Sequence, residues 1–149
     1  MGNKVKNGFK RMLVLVMALS LMLSGAIVTS VEASAKTKKV IIKTLGDDSM
    51  EYYKAMFATE YLGDDIEWEN IIGVGKAKKI KVSDKAKYAI MDYNKMKAYK
   101  VTKEEFLNVL DMNECGKNKE KGKIWYWGMA CKLTIKNNEV VKITQLYQS

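Results

Sequence analysis

The spacing between hydrophobic and polar positions changes several times along the chain. A short apolar run at residues 40–45 predicts a first strand. Asp48 and Glu51 then have the spacing of a helical capping box. Large apolar side chains follow at intervals of three and four, as Met50, Tyr53, Phe57 and Tyr61. This spacing predicts a helix over residues 49–62.

The period changes to two over residues 66–92. Apolar and lysine side chains alternate there, as in Lys79, Ile80, Lys81 and Val82. Alternation of this kind indicates half-buried antiparallel strands. Residues 83–85 and 92–95 have turn chemistry and predict the breaks between strands, and residues 96–101 predict a further strand.

A second capping box predicts a second helix. Thr102 and Glu105 have the required spacing, and the residues that follow form one apolar face: Phe106, Leu107, Val109 and Leu110. The helix is therefore predicted over residues 103–112.

The C-terminal segment alternates most regularly. Its large apolar residues occupy odd positions: Trp125, Trp127, Met129, Cys131, Leu133 and Ile135. We expect one long strand whose odd positions are buried, which favours core packing over a carbohydrate platform for the two tryptophans. Asn137 and Asn138 mark the return turn, and matching apolar faces favour a bulge or a three-residue loop that pairs Leu133 with Ile143.

Together these elements predict an α+β fold. The architecture is a small curled antiparallel β-sheet or partly open barrel of about six strands, with two α-helices. The segments lie close together and show no internal repeat or flexible linker, which indicates one domain.

The N-terminus has the pattern of an export signal. Residues 1–11 are basic without an acid, and residues 12–28 are apolar without a charge. Ala33 and Ala35 fit the small-residue pattern of a signal-peptidase site, so we expect cleavage after Ala35. Residues 1–35 are then a signal peptide and residues 36–149 a single secreted domain without stable membrane insertion. The alternative is an uncleaved N-terminal anchor with the domain outside the cell.

Composition narrows the possible chemistry. The 149 residues carry a formal charge of +9 and include no His and no Pro. Absence of His excludes Ser-His-Asp and Cys-His catalysis and His-ligated zinc. The one acidic cluster, Asp64, Asp65, Glu67 and Glu69, lacks the spacing of a calcium loop. We therefore expect no metal and no cofactor, and the sequence favours a non-catalytic protein.

The only two cysteines are Cys115 and Cys131. In an exported chain such a pair indicates a structural disulfide, and the spacing differs from the Cys-x-x-Cys of redox-active pairs. The sequence therefore predicts a loop closed by a bond between Cys115 and Cys131.

Lysine-rich segments provide the candidate binding surface. Eight lysines form two runs, which are Lys76, Lys78, Lys79 and Lys81, and Lys117, Lys119, Lys121 and Lys123. A positive surface attracts anionic polymers, and an exported protein meets cell-wall polyanions first. Arg11 is the only arginine and belongs to the signal peptide, so base-specific reading of nucleic acid is disfavoured. The competing interpretation is that these lysines only solvate the surface.

These observations favour a secreted binding module that contacts an anionic cell-envelope polymer. The alternative is an enzyme inhibitor or other protein-binding protein that presents the loop between Cys115 and Cys131 to an extracellular partner. A third hypothesis, a small hydrolase that uses carboxylates, lacks a motif that selects an acid pair.

Overall fold

Eight strands and two short helices make up the part of the chain that the computed structural model describes, residues 34–149. The predicted signal sequence up to Ala33 lies outside the described residues. The strands are β1 (Lys36–Leu45), β2 (Ser49–Phe57), β3 (Ile71–Asp92), β4 (Lys97–Val101), β5 (Gly116–Glu120), β6 (Lys123–Trp127), β7 (Ala130–Lys136) and β8 (Glu139–Gln145). The helices are α1 (Ala58–Leu62) and α2 (Lys103–Met112).

Five strands form a closed ring in the order β1, β2, β3, β8 and β7, and β7 pairs with β1 to complete it. The 22-residue β3 pairs antiparallel with β2 along its first part and parallel with β8 further on. β4 and β6 also pair with β3, and β5 pairs with β6. The prediction of a strand-rich sheet with two helices is confirmed, but there are eight strands and one pairing is parallel.

The barrel interior holds the main hydrophobic core. Strand residues such as Val40 and Ile143 pack there with Phe106 and Leu110 of α2. The capping box of α2 forms as predicted, because the Thr102 hydroxyl accepts from the Glu105 amide at 3.2 Å and the Glu105 carboxylate accepts from the Thr102 amide at 2.7 Å. The cap fixes the start of the helix, and Phe106 on its next turn is fully buried.

The helix predicted over residues 49–62 is wrong for most of its length. Ser49–Phe57 forms β2, which pairs with β1 on one side and β3 on the other. Met50 and Tyr52 point into the barrel core while Tyr53 lies in a separate cluster, as strand alternation requires. Pairing on both edges satisfies the backbone and overrides the helical spacing. Only α1 is helical.

The strand break predicted at residues 83–85 is also absent. β3 runs through this segment, and its register with β8 shifts between Val82 and Lys87. The extra residues are absorbed as an irregularity within the strand. The turn at residues 92–95 and the strand that follows are confirmed.

The long C-terminal strand is interrupted at Gly128, whose φ of 152° lies where glycine is favoured. Trp125 and Met129 are buried, but Trp127 is 53% exposed, so its predicted burial is wrong. The return turn has positive φ at both Asn137 and Asn138 and no third loop residue. Leu133 pairs with Ile143 as predicted, because the register shifts between Thr134 and Ile135.

Cys115 and Cys131 are not bonded, so the predicted disulfide is wrong. Cys131 lies in the barrel core with Val40, whereas Cys115 packs in a different cluster with Ile41 and Ala130. Successive residues of a strand point to opposite faces. The β1–β7 wall of the barrel therefore separates the two thiols.

We expect the melting temperature to be the same with and without reductant, because no covalent crosslink constrains the unfolded chain. Burial raises the pKa of the Cys115 thiol and that of the Cys131 thiol, which disfavours the reactive thiolate. A thiol reagent should therefore label the native protein slowly and label both cysteines quickly after unfolding. A lower melting temperature under reductant would contradict the unbonded arrangement.

The rings of Tyr53 and Tyr126 stack at a centroid distance of 3.7 Å and an interplanar angle of 7°. Tyr53 belongs to β2 and Tyr126 to β6, so the stack holds the β5–β6 hairpin against the outside of the barrel. Burial, and then the hydrogen bond with the Tyr126 side chain, raises the pKa of Tyr53 from 10.0 to about 12.

This shift predicts a loss of stability above pH 10. Between pH 10 and pH 12 the native Tyr53 keeps a proton that the unfolded chain has released, so the free energy of unfolding falls as pH rises. Replacing Tyr53 by Phe removes this contribution, and the variant should lose less stability across that interval in denaturant titrations. Tyr99→Phe, on an exposed side chain, is the control. Equal pH slopes for Tyr53→Phe and the wild type would contradict the assignment.

Candidate functional site

Two surface clefts of opposite character provide the candidate sites. The first, called the lysine cleft, is a cavity of about 510 Å³ lined by Lys36, Thr37, Lys38, Lys79, Ile80, Lys81, Ile135 and Asn138. Four of the residues that line it are lysines, and no acidic residue is among them.

Strand geometry places two of these lysines. Val40 of β1 points into the barrel core, and Lys38 and Lys36 lie two and four positions earlier, which is the same face of the strand. Lys38 donates to the hydroxyl of the core residue Tyr52 at 3.3 Å, and its Nζ lies 5.4 Å from the centroid of that ring. The inward-facing row of β1 thus continues beyond the core as a row of lysines.

The other two lysines come from the middle of β3. Lys81 forms an ion pair with Glu139 at 3.3 Å. Lys79 lies opposite Glu51, whose carboxylate is 3.6 Å from the Lys43 ammonium. Two lysines of the cleft therefore have a defined partner, Tyr52 for Lys38 and Glu139 for Lys81. Lys36 and Lys79 remain the most available for an anion.

The structure divides the eight lysines predicted as an anion-binding surface. Lys79 and Lys81 line the cleft, and the exposed Lys76 and Lys78 precede them on β3. Lys117 and Lys119 are exposed on β5. Sequence reasoning misses Lys36 and Lys38 because the apolar run that predicts the first strand begins only at residue 40, whereas β1 begins at Lys36.

The last two predicted lysines have structural partners. Lys121 forms an ion pair with Asp65, and this contact lowers the pKa of the Asp65 carboxyl. Lys123 donates to the Tyr61 carbonyl at 2.6 Å, and its Nζ lies 5.1 Å from the centroid of the Tyr61 ring. Both contacts hold the β5–β6 hairpin against α1 and the loop after it.

The two lysine runs approach each other through β6. Gly73 of β3 pairs antiparallel with Tyr126 of β6. Because the strands run in opposite directions, the chain from Gly73 to Lys76 lies alongside the chain from Tyr126 to Lys123. The turn of the β5–β6 hairpin and Lys76 therefore lie at the same end of the β3–β6 pair. From Lys76, β3 carries further lysines to the lysine cleft.

The second cleft, called the tryptophan cleft, is a cavity of about 630 Å³. Its aromatic lining consists of Trp68, Trp125, Trp127 and Tyr93. Amide side chains lie among them, and Glu120 is the one acidic side chain in the lining.

The described residues contain no group of three or more His, Cys, Asp or Glu that could hold a metal ion. Within the same residues, no helix has the length and apolar character needed to span a bilayer.

Comparison with known proteins yields no assignment. No family model matches the chain, and neither a curated protein nor a solved structure is similar to it at a significant level.

Proposed function

We propose that the protein is a secreted, non-catalytic module that binds an anionic polymer of the cell envelope through the lysine cleft and the lysines of β3. The observation that carries this proposal is the cleft itself, in which four lysines line a cavity without a carboxylate. A concave arrangement of like charges concentrates positive potential, and a bound polyanion offsets the repulsion between the ammonium groups.

The type of cation supports a polymer with repeated charges. Lysine carries a compact charge on a flexible stem, whereas arginine presents a planar fork that reads a fixed geometry. Every basic residue between 36 and 149 is a lysine. Such a surface suits phosphate or carboxylate groups at irregular spacing better than the edges of particular bases.

The course of β3 supports a long ligand. Lys76 and Lys78 lie between the hairpin end and the cleft residues Lys79 and Lys81. Five-stranded barrels of the OB class bind oligonucleotides and oligosaccharides on the face of their second and third strands. That likeness is one of architecture only, and the lysines supply the chemical argument.

The alternative hypothesis of a protein-binding loop has lost its main physical support. It relied on a disulfide that would preorganise the segment between Cys115 and Cys131, and the two thiols are not bonded. No observation favours it over polymer binding.

Export remains part of the proposal. Cleavage after Ala35 would make Lys36 the first residue of the mature chain, and Lys36 lines the lysine cleft. The new α-ammonium group would add a positive charge beside the lysine side chains. Signal removal would thus strengthen the site as well as release the protein.

N-terminal sequencing of the exported protein tests this step. We expect the mature chain to begin at Lys36, and Ala33→Leu to retain the presequence because the peptidase needs small residues at its site. Thr37→Leu, beyond the cut, is the control and should be processed normally. A wild-type chain that begins at Met1 and is found only in membranes would contradict cleavage.

Titration with a soluble polyol phosphate tests the lysine cleft. We expect binding that weakens steeply between low and high salt, because association releases counterions. The double variant Lys36→Gln and Lys79→Gln should bind about tenfold more weakly at low salt and show a smaller salt dependence, since two charges are removed. Isothermal titration calorimetry at several salt concentrations measures both effects.

The matched control is the double variant Lys95→Gln and Lys97→Gln. It removes the same charge from exposed positions that line neither the lysine cleft nor the tryptophan cleft. Retained affinity in this control supports the cleft. Equal losses in the two variants would show that net charge alone drives binding, and salt-independent affinity would overturn the electrostatic basis of the proposal.

A further inference from the structure

The tryptophan cleft has a charge unlike that of the rest of the chain. The protein has 26 basic residues and 17 acidic ones, yet no lysine lines this cleft. Its lining combines aromatic rings, amides and a single acidic side chain, that of Glu120. A cleft without a cation offers nothing to the polyanion proposed for the lysine cleft, so it suits a ligand without negative charge.

Trp127 is a rigid and accessible platform. It pairs with Gly116 of β5, and a Cβ at that glycine would collide with the indole ring. One side of the indole therefore packs directly against the backbone of Gly116, where any larger residue would place a side chain in the way. Trp127 is nevertheless 53% exposed. A flat apolar face held in this way is preorganised for a flat apolar ligand surface.

Trp125 brings an unused hydrogen-bond donor. Its side chain is 8% exposed and packs against Trp68 at a centroid distance of 5.2 Å. Its Nε1 is buried and has no hydrogen-bond partner. A buried N–H without an acceptor is costly, and Trp125 belongs to the lining of the cleft. A ligand oxygen that meets this N–H after a small shift of the Trp125 ring would remove that cost.

Other polar side chains of the lining also have hydrogen-bonding atoms without a partner. Asn118 accepts from the Lys119 amide at 2.8 Å through its Oδ1, which leaves the amide N–H groups of the side chain for a ligand. Asn113 donates from Nδ2 to the Val109 carbonyl at 2.8 Å, which leaves its Oδ1 as an acceptor. Glu120 contributes a half-buried carboxylate.

We propose that the tryptophan cleft binds a neutral oligosaccharide. The apolar C–H face of a sugar ring would lie on Trp127, and sugar oxygens would accept from the Nε1 of Trp125 and the amide of Asn118. Hydroxyl groups of the sugar would donate to Asn113 Oδ1 and Glu120. A ligand that both donates and accepts around an apolar face can pair with all four of these polar groups.

A cationic ligand satisfies fewer of these groups. Aromatic rings beside a carboxylate attract quaternary ammonium ions, which is the closest competing chemistry. The quaternary ammonium group of such a cation has no acceptor for the Trp125 N–H or for the Asn118 amide. The unpaired donors therefore favour a saccharide.

Calorimetric titration of the protein with two neutral probes, a glucose tetramer and an N-acetylglucosamine tetramer, tests this inference. We expect at least one tetramer to bind saturably with little dependence on salt, because the site has no cation. Trp127→Ala should weaken that binding about tenfold through loss of the stacking face. Trp125→Phe keeps a ring but removes the N–H, and it should also weaken binding.

The matched control is Tyr99→Ala, which removes an aromatic side chain of similar exposure, 51%, from β4 outside the cleft. It should leave the affinity for the tetramer unchanged. Gly116→Ala is a second variant that keeps all the tryptophans but displaces Trp127, and it should weaken binding as well. Equal losses in Trp127→Ala and Tyr99→Ala would overturn the assignment of the site.

Choline is the competing probe. Binding of choline without binding of either tetramer would overturn the saccharide assignment in favour of a cation site, and binding of none of the three would overturn it outright. The lysine variant Lys36→Gln with Lys79→Gln should leave tetramer binding unchanged. Failure of the polyol phosphate titration and failure of this one are therefore distinguishable.

Discussion

The continuity of β3 is the constraint on which the rest of the structure depends. One strand of 22 residues pairs with β2 along its first part and with β8 further on, and this change of partner closes the ring. A closed ring leaves few unpaired backbone groups in the wall, so the interior can be largely apolar. The same strand also pairs with β6 at Gly73 and contains Lys79 and Lys81 of the lysine cleft.

The two clefts owe their different chemistry to different parts of the structure. The lysine cleft is lined by the start of β1, the middle of β3 and residues next to or in the β7–β8 turn. The tryptophan cleft depends instead on the β5–β6 hairpin, which the stacked Tyr53 and Tyr126 and the Lys121–Asp65 ion pair fix in place. A fixed hairpin lets large aromatic side chains remain exposed without losing their orientation.

Local signals in the sequence predicted the elements that depend on local interactions. α2 needs only its capping box and its apolar face, and the pairing of Leu133 with Ile143 needs only matching faces across a turn. Residues 49–57 show the opposite case, because their spacing of three and four suits a helix while β1 and β3 supply partners on both edges. β1 precedes β2 directly in the chain, but β3 follows only after α1 and the loop behind it, so no local pattern could reveal the second partner.

The sequence by itself determined the net charge and excluded chemistry that needs His. It also indicated a strand-rich fold and identified the lysines of β3 as a candidate binding surface. Tertiary structure alone decided which side of a strand faces which neighbour. It placed Cys115 and Cys131 on opposite sides of one wall, added Lys36 and Lys38 to the lysine cleft, and exposed Trp127 over a glycine. Alternation along a strand defines two faces, but only the packing of distant strands decides which of them is covered.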